Sequence, residues 1–281
     1  MLHRALALCI LAAAWPAAGQ ETVPASHHTT AAVAPASTTR LSFEDQERFL
    51  LNARIERVKG VSKGVTGTQR ATLFDGAFAH DASIQTVDES KARYETARRL
   101  EFNFRDYWGY NVAAYRLGVM LGMDMIPPSV LRAYRSEKAA FTWWIDDVMM
   151  DEMERQKQKV APPNMAPWNA QLHILRVFDE LIANTDRNQG NMLIDKAWKL
   201  WLIDHSRAFR TSRDLNKPRS LRRCERTLLS KMKALTPEGL QAQLNDYLTE
   251  HEIEALLARR DKLVAHVEAL GPAALYDFVR K

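Results

Sequence analysis

Residues 178–209 read FDELIANTDRNQGNMLIDKAWKLWLIDHSRAF. Leu172, Leu175, Phe178 and Ile182 recur at helical spacing, which predicts a helix over Trp168–Ala183 running into this stretch. The polar run Asn184 to Gly190 then forms a turn, and two apolar runs, Met192–Ile194 and Lys199–Ile203, read as short strands. Asp186 stands five residues before Asn191 on that turn, and Asp204 closes the second strand. Taken singly, these residues are ordinary turn formers and strand ends. Their order is less ordinary. Phosphoryl transfer needs one carboxylate to orient or deprotonate the attacking hydroxyl, and an amide oxygen with a second carboxylate to hold the Mg²⁺ that bridges the phosphates. Asp186 and Asn191 can supply the first two of these groups, and Asp204 the third.

Upstream, Arg54 to Gln85 carries strand signals, with Asp75-Gly76 between two apolar runs predicting a hairpin with a type I′ turn. Gly60, Gly64 and Gly67 precede it in GVSKGVTG, where backbone N–H groups, Lys63 and the Thr66 hydroxyl can wrap phosphates, or where the chain simply turns. A helix is expected from about Tyr107 to Leu121, and strands over Ser129–Tyr134 and Ala139–Ile145. Lys157–Pro167 reads as a loop or crossover, and the tail is helical, with starts at Thr236-Pro237-Glu238 and a capping box at Thr249–Glu252. A strand-rich half therefore precedes a helical one.

NTDRNQGNMLID followed by LWLIDHSRAF resembles the catalytic segment of the atypical kinase-like superfamily. The similarity extends to type II phosphatidylinositol 4-kinases, secretory-pathway kinases of the four-jointed type, a bacterial secreted group and, more distantly, HipA-type kinases. It runs from the glycine-bearing strands to Phe209. The resemblance implies an α+β, two-lobed protein-kinase-like fold, with a small antiparallel-sheet lobe over about 41–140 and a mostly helical lobe over about 141–281. It implies Asp186 as the catalytic carboxylate, Asn191 and Asp204 as metal ligands for Mg²⁺ or Mn²⁺, and Arg187 as a structural residue paired with a carboxylate. ATP or another nucleotide would lie against Lys63, Gly64, Thr66, Gly67 and Gln85.

Family members pair a strand lysine with a helix glutamate to hold the α- and β-phosphates. Here Gln85 and Asn111 fall at those places, a neutral pair able to hydrogen-bond. Phosphate charge then needs another cation, with Lys59, Lys63, Arg70, Arg98 and Arg99 as candidates and Glu101 as an alternative carboxylate. The departure leaves two readings: a kinase moving the γ-phosphoryl of ATP to a hydroxyl of a protein, lipid or small molecule, and a catalytically inactive nucleotide-binding or scaffold protein.

The remainder of the 281 residues sets the context. Met1 to Gln20, MLHRALALCILAAAWPAAGQ, has a basic start, a short apolar run and small residues, and reads as a secretory signal cleaved near Gly19. Residues 20–40, rich in Thr, Ala, Ser and Pro, read as a disordered tether. An exported protein without a transmembrane segment in its mature chain is expected, with Cys224 its only cysteine and hence no internal disulfide. Extracytoplasmic ATP is scarce in bacteria, which keeps open a different donor, or nucleotidyl transfer with the nucleotide held in reverse. Lys+Arg 39 against Asp+Glu 34 gives +5, too small and too interspersed to mark a nucleic-acid binder. The stretch Arg213–Lys233 carries eight Lys/Arg against Asp214 and Glu225. It is either a solvated helix face or a surface for an acidic protein or anionic lipid headgroup.

Overall fold

Alternation in β2 (Gln69–Phe74), flanked by β1 (Arg54–Gly60), whose register shifts between Ile55 and Arg57, and by β3 (Ala79–Gln85), which ends on two buried residues, gives the small sheet two unlike faces. One face buries Ala71, Leu73, Ala82 and Ile84, joined by Val130 and Phe141 from β6 (Ser129–Tyr134) and β7 (Glu137–Trp143). The five strands pair antiparallel in the order β1-β2-β3-β7-β6. The buried face is covered by α1 (Phe43–Asn52), which presents Phe49 and Leu50 and is capped by Ser42, whose hydroxyl oxygen accepts from Asp45 N at 3.1 Å. This computed structural model describes residues 41–60, 68–96 and 99–279, and from Leu41 onward the chain clusters as one unit.

The β2–β3 hairpin forms where Asp75-Gly76 predicts it, but with a different turn. Asp75 Oδ1 accepts from Ala77 N at 2.9 Å and Phe78 N at 2.8 Å, so the loop spans four residues, 75–78, and Gly76 alone takes a positive φ of 107°. A short acceptor at the first loop residue closes an Asx turn, which outcompetes the two-residue type I′ geometry. The strand expected over Ala139–Ile145 is present as β7, which ends at Trp143.

Between β3 and the next helix lies a separate antiparallel ribbon that the sequence reading did not anticipate: β4 (Asp88–Thr96) and β5 (Arg99–Tyr107). It delivers the chain to α2 (Gly109–Met120), which begins slightly later than predicted and packs on the β6–β7 end of the second sheet face, where Ala140 and Leu131 join the larger core.

That larger core gathers Leu117 of α2, Trp168 and Phe178 of α4 (Met165–Leu181), and Leu228, Leu240 and Leu256 of α5 (Arg226–Lys233), α6 (Pro237–Leu244) and α7 (Glu250–Ala269). A second sheet, β10-β9-β8, is built from β8 (Val148–Asp151), β9 (Met192–Asp195) and β10 (Leu200–Leu202), with α3 (Glu152–Gln158) between β8 and α4. The capping box of α7 is present: Glu252 Oε2 accepts from Thr249 N at 2.7 Å while Thr249 Oγ1 accepts from Glu252 N at 3.3 Å. A short parallel pair, β11 (Cys224–Glu225) with β12 (Leu275–Tyr276), ties the end of the chain to the helices.

Candidate functional site

The loop after α4 is held by its own polar residues. Asn184 N donates to Asp179 O at 2.8 Å, and Asn184 Oδ1 accepts from Asp186 N at 3.2 Å, which turns the chain away from the helix at Asp186. Arg187 points inward instead. Its Nε donates to Asp179 Oδ2 at 3.1 Å and Nη2 to Asp179 Oδ1 at 3.1 Å, while Nη1 reaches Ile203 O at 2.7 Å and Asn191 O at 3.2 Å. Arg187 and Asp179 are 8% and 11% exposed, a buried and nearly saturated pair that fastens the loop to the strand ahead of Asp204.

Asn191 and Asp204 are brought together by backbone. Ile203 N donates to Asn191 O at 3.1 Å, so the residue after Ile203 emerges beside Asn191. Asp204 has a left-handed φ of 55°, an uncommon conformation for a residue with a Cβ, which reverses the chain there. Ser206 Oγ donates to Asp204 Oδ1 at 3.1 Å. Asp204 Oδ2 and the Asn191 side chain receive no hydrogen bond within the described residues. No group of three or more His, Cys, Asp or Glu gathers among the described residues. One carboxylate and one amide oxygen suit a hard divalent cation that takes its remaining ligands from phosphates and water.

Asp186 is half exposed, and Arg207 Nη1 donates to its Oδ2 at 3.3 Å. Arg207 Nε donates to Asp106 Oδ2 at 2.8 Å, and Asp106 of β5 is buried. Burial alone would lower the Arg207 pKa, but Asp106 and, less strongly, Asp186 hold it above the usual arginine value, so the guanidinium stays charged beside the catalytic candidate. Sequence reasoning missed both Arg207 and Asp106. The one available signal was an arginine three residues after Asp204, and its partner lies on the unanticipated ribbon.

Gln85 and Asn111 meet. Asn111 Nδ2 donates to Gln85 Oε1 at 2.7 Å and to Trp108 O at 3.2 Å, and both side chains are buried. Gln85 Nε2 donates onward to Thr68 Oγ1 at 3.3 Å. Asn111 Oδ1 accepts from His205 N at 2.8 Å, which links the helix to the turn carrying Asp204. His205 is fully buried, and desolvation, with Arg187 nearby, holds its pKa well below the ordinary value, so its ring is neutral. Lys63, Gly64, Thr66 and Gly67 lie outside the described residues, as does Arg98. Lys59 and Arg70 stand on the sheet face that carries Gln85, and Glu101 pairs with Arg210 at 2.5 Å.

No family model matches the sequence, and no curated protein matches it either. Solved structures do. A hydra Fam20 structure with sugar superposes with a TM-score of 0.63 at 14% identity, covering 84% of this chain and 92% of that chain. The Golgi casein kinase with Mn and ADP bound gives 0.58 at 13% identity, covering 82% and 76%. The same kinase in a second structure gives 0.56 at 12% identity, covering 81% and 76%. The chain therefore has an atypical kinase-like fold, with an antiparallel-sheet small lobe and a mostly helical large lobe.

Proposed function

We propose that the chain is an exported, metal-dependent phosphotransferase that moves the γ-phosphoryl group of ATP to a hydroxyl. The observation that carries this reading is the convergence of Asp186, Asn191 and Asp204 on one loop pair. Asp186 is presented to solvent beside a charged Arg207, and Asp204 Oδ2 and the Asn191 side-chain oxygen receive no protein donor among the described residues. In this reading Asp186 orients and deprotonates the acceptor hydroxyl, and Asn191 and Asp204 hold Mg²⁺ or Mn²⁺, which neutralises charge developing on the phosphates. Lys63, Gly64, Thr66 and Gly67 are the donor-binding residues of this reading. The Mn and ADP of the Golgi casein kinase structure support the metal and nucleotide. Export rests on the signal-like Met1–Gln20, with which the lack of any helix long and apolar enough to cross a membrane, among the described residues, is compatible. An acidic protein or an anionic headgroup at Arg213–Lys233 remains the acceptor surface proposed. Arg213 and Arg226 there already have acidic partners, Glu254 at 2.7 Å and Asp277 at 3.3 Å.

The second reading, an inactive scaffold, is favoured by the Gln85–Asn111 bond, which leaves no cation at the usual phosphate-pairing place. A thermal titration with ATP, with and without Mn²⁺, tests the first reading. A metal-dependent rise in melting temperature, worth about 2.7 kcal/mol at one hundred times the dissociation constant, supports it. No rise up to millimolar ATP supports the scaffold.

A further inference from the structure

Part of the basic stretch Arg213–Lys233 lies along α4 and leads away from Asp186. Glu180 of α4 accepts from Asn216 N at 2.6 Å and from Lys217 N at 3.0 Å. Further on, the Arg223 guanidinium lies over the Tyr276 ring at 5.1 Å, and Tyr276 Oη donates to Ala170 O of α4 at 2.7 Å. Residues 217–223 therefore run back along the helix from Glu180 to Ala170, a span of about 15 Å at 1.5 Å per residue. Asp179, next to Glu180, holds Arg187 of the loop that bears Asp186, so the far end of this course is the end remote from the loop.

Lys217, Arg219, Arg222 and Arg223 on this course are exposed, and Arg176 of α4 and Arg226 of α5 flank it. Burial first, and then the charges of Arg176 and Arg223, hold the His173 imidazole below its ordinary pKa, which shows cations converging from both elements. The acidic residues here are already engaged. Glu180 and Glu225 are buried, and Glu225 accepts from Thr227 N at 3.0 Å and Leu228 N at 2.7 Å as the cap of α5. Asp214 pairs with Lys262, and Asp277 with Arg226 at 3.3 Å. Lys217, Arg219 and Arg222 form no ion pair among the described residues. The result is a strip of one sign, drawn out over a length that suits an array of anionic groups better than a single one. Two exposed apolar side chains border it. Leu270, 41% exposed, lies one turn beyond His266, whose Nε2 donates to Leu221 O at 2.9 Å. Val279, 83% exposed, follows Asp277 by two residues. Cations with apolar groups at their margin suit the headgroup layer of an anionic bilayer, where the first meet phosphates and the second the acyl boundary. Single-stranded nucleic acid would stack its bases on an open ring, and the Tyr276 face carries Arg223.

We propose that this strip docks the protein on an anionic membrane. The inference rests on the reading of Arg213–Lys233 given above, choosing the headgroup layer as its partner and placing it apart from Asp186, and it requires no turnover. Residues 41–281, which cluster as one unit, are sedimented with vesicles of phosphatidylcholine alone or with about 30% phosphatidylglycerol. Binding should require the anionic lipid at about 0.1 M NaCl and fall at least about tenfold near about 0.5 M. Arg219→Ala/Arg222→Ala should weaken it roughly ten- to thirtyfold. Arg135→Ala/Lys138→Ala, which removes the same charge from the β6–β7 turn, should change it less than about twofold. All four residues are exposed, so unchanged melting temperatures confirm that folding is intact. Binding without dependence on anionic lipid, no binding, equal loss in both pairs, or undiminished binding of the strip variant overturns the proposal. Tighter binding of poly-glutamate or duplex DNA than of the anionic vesicles also overturns it and assigns the strip to an acidic protein or nucleic acid. Phosphoryl transfer without vesicle binding removes the docking face and keeps the activity, and vesicle binding without transfer does the reverse.

Discussion

Replacing Arg187 by Leu should be the most damaging single change at the loop bearing Asp186 and Asn191. It removes the two N–H groups bonded to Asp179 and the two contacts of Nη1 with Ile203 O and Asn191 O. The loss strands a carboxylate that is 11% exposed, with the Asn184 amide, at 3.2 Å, its one remaining side-chain donor among the described residues. Breaking a buried pair from one side costs about 3–5 kcal/mol, and in a domain of this size each kcal/mol moves the melting temperature by about 2–4 °C. A fall of roughly 6–20 °C is expected. The informative comparison is the double variant Asp179→Leu/Arg187→Leu, which removes both charges. Urea unfolding followed by tryptophan fluorescence on the wild type, both single variants and the double gives the coupling energy, expected at about 1–3 kcal/mol. A coupling below about 0.5 kcal/mol would refute the argument, because Arg187 would then act through packing and not through a desolvated charge pair.

Asp186→Asn should lower phosphoryl transfer by more than about a hundredfold while the ATP-induced rise in melting temperature survives; transfer from labelled ATP measures it. Asp204→Ala should abolish the Mn²⁺-dependent part of that rise, and an undiminished metal effect would sink its assignment as a ligand. Burial, and then the neighbouring Glu225 carboxylate, push the Cys224 thiol up to about 12. The folded state thus favours the protonated thiol, a stabilisation complete below about pH 8.5 and lost as pH rises toward 12. Iodoacetamide at about pH 8 should accordingly leave Cys224 unlabelled in the native protein and label it in urea, as read by mass spectrometry. Thr249→Ala should cost about 1 kcal/mol, or about 2–4 °C, through loss of the α7 cap.

What was legible in the sequence was local. Asp186, Asn191 and Asp204 could be read together because a helix, a tight turn and a hairpin fix their proximity within a short span. The same holds for the α7 cap, where Thr249 and Glu252 are three residues apart. What was hidden depends on distance along the chain. The Arg207–Asp106 pair joins residues on separate elements, one of them a ribbon whose interleaved charges, Lys91, Arg93, Glu95 and Arg105, mask the aromatic alternation of Tyr94, Phe102 and Phe104. Helix α1 carried a readable signal in Ser42 and Asp45, but its reason to form, the apolar sheet face under Phe49 and Leu50, becomes visible only once five strands are assembled.

The Gln85–Asn111 pair bears on how the cleft is assembled. A charged pair in this place would leave a cation available to phosphate, and its geometry would respond to the donor. Here every polar group of the Asn111 side chain is already engaged: Nδ2 by Gln85 Oε1 and Trp108 O, and Oδ1 by His205 N. The strand, the helix and the turn bearing Asp204 are therefore joined through neutral hydrogen bonds before any ligand arrives. Neutral buried bonds of this kind avoid the desolvation cost of a charged pair. The neighbouring contacts agree: Tyr107 N bonds Ser206 O at 2.8 Å and holds the ribbon base against the same turn, while Trp108 N bonds Val87 O at 2.8 Å and closes the ribbon's own base. The helix and the turn bearing Asp204 are thus preorganised, and in the proposed phosphotransfer reading the attraction for an anionic donor is left to Arg207 beside Asp186 and to Arg57, Lys59 and Arg70 on β1 and β2.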